Sequence, residues 1–212
     1  MNKKENKDIY NVHEESGLKG YVRLALLAVA AAVYHQPWLF ITLYCLYTAL
    51  DALDGFLARA FKQTSAFGAW FDVVIDLTGR GMLWTSLSKW GYFIMVIEWL
   101  TFVCTHCRGP KWKIPDENFP LICRLVMENG FKNPMGAFAI SGIFMLPVWV
   151  YVLQSGLALT LGLSDVVQQG VLLLLVVGRI LAFFSELFYI HQHIKGLINE
   201  ETASTLRVKP GA

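Results

Sequence analysis

Four carboxylates, Asp51, Asp54, Asp72 and Asp76, interrupt a stretch, DALDGFLARAFKQTSAFGAWFDVVID at 51–76, that is otherwise apolar enough to lie in a membrane. An ionised Asp at bilayer depth costs about 2.5 to 3.5 kcal/mol, so the fold has to bring these groups together around something positive. Helical spacing shows how. Asp51, Asp54, Gly55 and Ala58 share one face of a helix, and Gly68, Asp72 and Asp76 share one face of the next. If residues from about Arg59 to Ser65 form the turn, Asp51 lies eight residues before Arg59 and Asp76 eight residues after Gly68. Both then stand about 12 Å above the turn, at roughly 1.5 Å per residue, with Asp54 and Asp72 nearer to it. The four carboxylates are expected to converge at one level.

Negative charges gathered in a small volume need a cation, and oxygen-only ligands select hard ions such as Mg²⁺, Mn²⁺ or Ca²⁺. A divalent site holding two ions is expected. Gly55 and Gly68 remove side chains from the same faces and leave room for a ligand close to the backbone, while the planar fork of Arg59 suits a phosphate. Two divalent ions held by Asp stabilise charge developing on a phosphate or pyrophosphate during displacement, and a spare carboxylate removes a proton from an attacking hydroxyl. The chemistry expected is phosphoryl-type transfer on a substrate with a charged head and acyl tails.

The rest of the chain fits an all-α, polytopic membrane protein. Of 212 residues, 55% are hydrophobic and 16% charged, and the mean hydropathy of +0.46 exceeds that of a typical soluble domain. A net charge of +2, with no basic run interleaved with aromatics, argues against nucleic acid as a partner. Apolar runs predict about six transmembrane helices, near 18–35, 37–59, 67–88, 90–107, 134–160 and 166–194. They form one membrane domain, 18–194, between a cytoplasmic N-terminal segment, 1–17, and a cytoplasmic tail, 195–212, whose polar end from Ile198 is expected to be loosely ordered. The N-terminal segment is polar and lacks a cleavable apolar core, so the first membrane helix is expected to act as the targeting signal.

Loop charge supports this count. With the N-terminus inside, the inner segments hold Lys3, Lys4, Lys7 and Lys19, then Arg59 and Lys62, then Arg108, Lys111, Lys113, Arg124 and Lys132, then Lys195, Arg207 and Lys209; the outer loops hold Lys89. The Asp cluster then opens toward the cytoplasm. The longest polar connection, 108–133, carries an apolar patch, LICRLVM, that reads equally as a surface-lying amphipathic segment or a solvated loop.

The fixed positions Asp51, Asp54, Gly55, Ala58, Arg59, Gly68, Asp72 and Asp76 match the pattern DxxDGxxARx8GxxxDxxxD. The stretch resembles the CDP-alcohol phosphatidyltransferases. The resemblance implies that Asp51, Asp54, Asp72 and Asp76 hold Mg²⁺ or Mn²⁺, that Asp76 also deprotonates the acceptor hydroxyl, and that Gly55, Arg59 and Ser65 contact the CDP-lipid. It further implies a single direct displacement on CDP-diacylglycerol with CMP as leaving group, and a homodimer among membrane lipids. Within the family the chain is most similar to the inositol-accepting branch, through its compact length, GlyTyrValArg at 20–23 and PheGlyAla at 67–69. Glycerophosphate-accepting and cardiolipin-forming relatives tend toward Pro and Lys where this chain has Val73 and Leu77. It departs from the inositol branch at Leu18, Lys19 and Leu77, where ProAsn and Arg are usual, with Arg80 the nearest substitute. An endoplasmic reticulum membrane is the expected location.

Other polar residues have blander readings. CysThrHisCys at 104–107 lacks a second ligand pair for zinc and reads as buried thiols at a helix end, with His106 a candidate for a polar cavity. Cys45, Cys104, Cys107 and Cys123 form no disulfide framework. Arg80, one turn beyond Asp76, pairs with it or binds an anionic group, and Arg179 and Glu186 read as a structural ion pair. A competing class is a non-catalytic membrane protein that uses the Asp cluster only to bind ions. The nearly featureless outer halves of the helices argue against an ion pathway.

Overall fold

The computed structural model describes residues 19–60, 65–106 and 119–208, leaving aside the side chains of Asp54, Leu57, Ala58, Arg59 and 204–208. The segment 1–17, Lys62, Cys107, the first part of the 108–133 connection and residues 209–212 therefore lie outside the described residues. Regular structure is helical, with no strand among the described residues. Helix α1 is described from 19 to 32. It is followed by α2 (Pro37–Ala60), α3 (Ala66–Leu87), α4 (Gly91–His106), the short α5 (Leu121–Met127) with a 3₁₀ turn at Glu128–Phe131, α6 (Pro134–Gln154), the single turn α7 (Leu157–Thr160) and α8 (Asp165–Val208).

Local sequence sets these boundaries. Pro37 and Pro134 open α2 and α6, where a missing N–H costs nothing and the fixed φ suits a first turn. Asn133 caps α6: its Oδ1 accepts the Gly136 N–H at 2.7 Å, and its Nδ2 donates to the Glu128 carbonyl at 2.8 Å. Ser65 caps α3 by accepting the Gly68 N–H at 2.9 Å. The α8 helix runs 44 residues to Val208, which corrects the loose order expected from Ile198, as far as Val208. Its last turns contain good helix formers, and the next breaker is Pro210.

The predicted apolar runs fall on helices, except that 134–160 is divided at Gly156, where φ is positive, into α6 and the turn α7; the span count is narrower than expected. Among the described residues, α6 and α8 are long and apolar enough to cross a membrane, and Pro37–Leu53 and α4 form shorter apolar helices. Asp51, Asp72, Asp76 and Arg80 dilute α2 and α3, and α4 has 16 residues against the ~20 that a 30 Å core asks for.

Two compact units make up the chain, one formed by residues up to Leu83 with Ser155–Leu157, the other by Trp84–Gln154 and the residues from Ala158. In the first, α2 presents Phe40, Tyr44 and Tyr47 on one face, all buried, in a run of ring contacts. The Tyr47 hydroxyl donates to the Ile75 carbonyl of α3 at 2.9 Å. A side chain on Gly20 of α1 would strike the Phe71 ring, and one on Gly79 would meet the Tyr47 hydroxyl. Both glycines thus let helices approach closely.

In the second unit, α6 and α8 cross at Gly142 and Gly178, where a Cβ on Gly142 would run into the backbone of Gly178 and Arg179. Trp84, Leu146 and Leu175 form one core cluster beside this crossing, and Val126, Ala139 and Ala182 another. The LICRLVM patch is the helix α5, with Cys123, Val126 and Met127 buried and Leu121, Ile122 and Leu125 exposed. That excludes a plain solvated loop over 121–127. Burial raises the Cys123 thiol pKa, so this sulfur stays protonated and inert near neutral pH. After α5 the chain reverses through Asn129, Gly130 and Phe131, all at positive φ. The strain at Phe131 is held by its packing on both neighbouring clusters.

Backbone contact at the crossing leaves nothing flexible to move aside. Gly142→Ala is expected to cost about 2 to 3 kcal/mol, lowering Tm by roughly 4 to 12 °C. Gly170→Ala, on open α8 surface, is expected to leave Tm unchanged or slightly raised. Thermal unfolding of the two variants in one detergent checks the pair.

Candidate functional site

Three helices of the first unit meet at a single guanidinium. Arg23 of α1, with its side chain 1% exposed, places Nη1 at 2.7 Å from Oδ1 of Asp51 on α2 and 3.2 Å from Oδ1 of Asp72 on α3; Nη2 lies 2.8 Å from Oδ1 of Asp76. Behind it, the guanidinium carbon sits 5.2 Å from the centre of the Tyr47 ring. Its Nε is buried with no hydrogen-bond partner, so the carboxylates and the ring set its orientation.

The positions follow from spacing. Asp72 and Asp76 are one turn apart on α3 and project to the same side, while Tyr47 and Asp51 are one turn apart on α2. Gly20 precedes Arg23 by three residues, so the face of α1 that closes on Phe71 also carries the guanidinium. Asp51, Asp72 and Asp76 keep side-chain exposures of 35%, 47% and 21%, so the cluster is sealed on the Arg23 side and open on the other.

The expected convergence of Asp51, Asp72 and Asp76 is therefore present. The side chains of Asp54 and Arg59 lie outside the described residues. Gly55 and Ser65 are half-buried, and the Ser65 hydroxyl caps α3. Arg80 is buried one turn past Asp76, close enough for its positive charge to bear on that carboxylate. Sequence reasoning overlooked the role of Arg23. The residue stood in view within GlyTyrValArg, and the signal was a lone Arg three residues into an apolar helix from Gly20.

Among the described residues no three His, Cys, Asp or Glu side chains close into an ion-binding group; an oxygen of each of the three carboxylates lies against Arg23. The donor set nevertheless fits a hard divalent cation. The three carboxylates offer only oxygen, they face one guanidinium, and they remain accessible from one side.

The second unit holds a separate charged cluster. Arg179 pairs with Glu186 one face along α8 at 2.8 Å and with Glu98 of α4 at 3.6 Å, all buried. The structural ion pair expected of Arg179 and Glu186 is present, with Glu98 as an unforeseen third member. His106 is exposed at the end of α4, its ring 5.4 Å from that of Phe102, and Cys104 is buried.

Comparison with known proteins bears directly on this site. The profile of the family described as CDP-alcohol phosphatidyltransferase matches residues 20–168, which include Arg23 and every carboxylate of the cluster. The chain is 42% identical over 71 residues to CDP-diacylglycerol–inositol 3-phosphatidyltransferase 1 of Arabidopsis thaliana, covering 33% of this chain and 31% of that one. It is 43% identical over 84 residues to CDP-diacylglycerol–inositol 3-phosphatidyltransferase of Saccharomyces cerevisiae, covering 39% and 36%. A CDP-diacylglycerol–glycerol-3-phosphate 3-phosphatidyltransferase of Cereibacter sphaeroides is 42% identical over 53 residues, 24% of each chain. The matched segments thus span about a third or less of the curated relatives. No solved structure matches. With the profile running across the Arg23 cluster and through most of the chain, this protein belongs to the CDP-alcohol phosphatidyltransferase family.

Proposed function

We propose that this protein transfers the phosphatidyl group of CDP-diacylglycerol to a hydroxyl of myo-inositol, releasing CMP and forming phosphatidylinositol. The observation that carries the chemistry is the convergence of Asp51, Asp72 and Asp76 on the matched motif. The inositol acceptor is supported by the names of the Arabidopsis and yeast relatives. Asp51, Asp54, Asp72 and Asp76 would hold two Mg²⁺ or Mn²⁺ ions, which would supply positive charge to neutralise a pyrophosphate.

The chain's own groups do the rest. Asp76 accepts the proton of the acceptor hydroxyl as the new oxygen–phosphorus bond forms. The phosphoanhydride bond breaks in the same displacement, and CMP departs with its electron pair. Arg59 grips a phosphate of the CDP-lipid, Gly55 lets the substrate approach the helix backbone, and the Ser65 hydroxyl contacts it from the cap of α3. Six membrane helices, homodimerisation and an endoplasmic reticulum location with the site facing the cytoplasm complete the reading. The apolar exposed faces of α6 and α8 and the loop charge pattern support membrane insertion in that sense.

Purified protein with CDP-diacylglycerol and Mg²⁺ or Mn²⁺ is expected to release CMP with inositol, and not with serine, glycerol 3-phosphate or no acceptor. Asp76→Asn is expected to lower that release at least about 100-fold. Release with glycerol 3-phosphate alone would keep the mechanism and replace the acceptor, and silence with every acceptor would leave an ion-binding protein without catalysis.

Ser65 has two roles that substitution separates. Ser65→Ala loses the cap, about 1 kcal/mol of stability, and raises KM for the CDP-lipid. Ser65→Asn keeps a capping oxygen, so an unchanged Tm with a raised KM is expected. An unchanged KM in both variants would confine Ser65 to capping.

A further inference from the structure

We propose that Arg23 is the positioning residue of the carboxylate cluster, a built-in counter-cation that keeps Asp51, Asp72 and Asp76 converged whether or not a divalent ion is bound. The inference rests on the metal reading of these carboxylates and adds a role for a side chain on a different helix.

Geometry carries it. One guanidinium engages carboxylates from two other helices, with Nη1 shared between Asp51 and Asp72 and Nη2 on Asp76, all within 3.2 Å. A planar fork reaches separated acceptors, whereas an ammonium is a point charge that serves them less evenly. The guanidinium is not a surface charge free to swing away. It is buried at 1% exposure, it lies against the Tyr47 ring, and that ring is pinned by the Tyr47 hydroxyl bond to Ile75. Gly20 brings α1 close enough to α3 for the reach. Without this charge, the three carboxylates would face one another with Arg80, which bears on Asp76, as the remaining buried cation nearby.

The consequence is competition through charge. Arg23 and a divalent ion neutralise the same carboxylates, so each matters more when the other is absent. Arg23→Gln therefore loses most stability in chelator, and a divalent ion recovers part of that loss.

The test is thermal unfolding of the full chain in detergent, in EDTA and in saturating Mn²⁺, for wild type, Arg23→Gln and Arg23→Lys. In EDTA, Arg23→Gln is expected to lower Tm by on the order of 10 °C, and in Mn²⁺ by about half as much or less. Arg23→Lys is expected to fall between wild type and Arg23→Gln. Should Arg23→Gln fail to fold in EDTA, the double variant Arg23→Gln/Asp72→Asn removes one of the repelling charges and is expected to fold. A destabilisation equal in EDTA and Mn²⁺, or a double variant no better than the single, overturns the counter-cation role. A wild-type Tm shifted by Mn²⁺ but indifferent to Arg23→Gln also overturns it. A wild-type Tm that ignores Mn²⁺ overturns the metal reading itself, and the proposal with it. CMP release is not among these readouts, so an acceptor other than inositol leaves the test intact.

Discussion

The first unit depends on one contact, the Arg23 guanidinium among Asp51, Asp72 and Asp76. Carboxylates inside apolar helices are costly, and removing one partner from a buried charge set typically costs about 3 to 5 kcal/mol. That penalty ties the helices together in register: sliding α1 by one turn, about 5.4 Å, would carry Arg23 away from all three acceptors. The neighbouring features serve the same contact. Gly20 sets the approach of α1, Tyr47 fills the space behind the guanidinium, and Gly79 leaves room for the Tyr47 hydroxyl.

The second unit solves a related problem differently. Its α6–α8 crossing relies on backbone approach at Gly142 and Gly178, with no charge needed. Its buried charges, Arg179 with Glu98 and Glu186, join α4 to α8. There two acids share one base and all three stay largely shut from water. At Arg23 three acids share one guanidinium and remain open on one side. An excess of accessible negative charge suits a hard cation, whereas a closed triad serves packing.

Much of this was legible because charge in an apolar setting is expensive and so leaves a plain signal. The 3.6-residue period placed Asp72 with Asp76, and the glycines and prolines marked helix contacts and starts. What escaped was the source of the positive charge. The sequence offers metal and Arg80 as partners for the carboxylates, whereas Arg23 is separated from Asp51 by 28 residues and from Asp76 by 53, a pairing that local periodicity does not reveal. The long α8 is hidden for another reason: polarity from Ile198 onward looks like disorder, although Glu200, Glu201, Ala203, Leu206 and Arg207 are helix formers. Acceptor preference leaves a fainter mark still, since a polyol is recognised by ordinary neutral hydrogen-bonding groups.

Placing reactive groups on helices has a mechanical consequence. Asp51 sits inside α2, and Asp72 and Asp76 inside α3, so their backbones are fixed by hydrogen bonds that do not depend on substrate. The first turn of α3 differs, because its free N–H groups need a partner and the Ser65 hydroxyl supplies one to Gly68. A substrate phosphate near that turn would meet the same N–H groups and the favourable end of the helix dipole. On the proposed function, Ser65 would stand where helix capping and substrate contact draw on the same donors, while Asp72 and Asp76, about two and three turns further along α3, have backbone N–H groups already engaged inside the helix. Rotation or loss of the Ser65 hydroxyl would then disturb the first turn of α3 without moving the carboxylates that Arg23 holds.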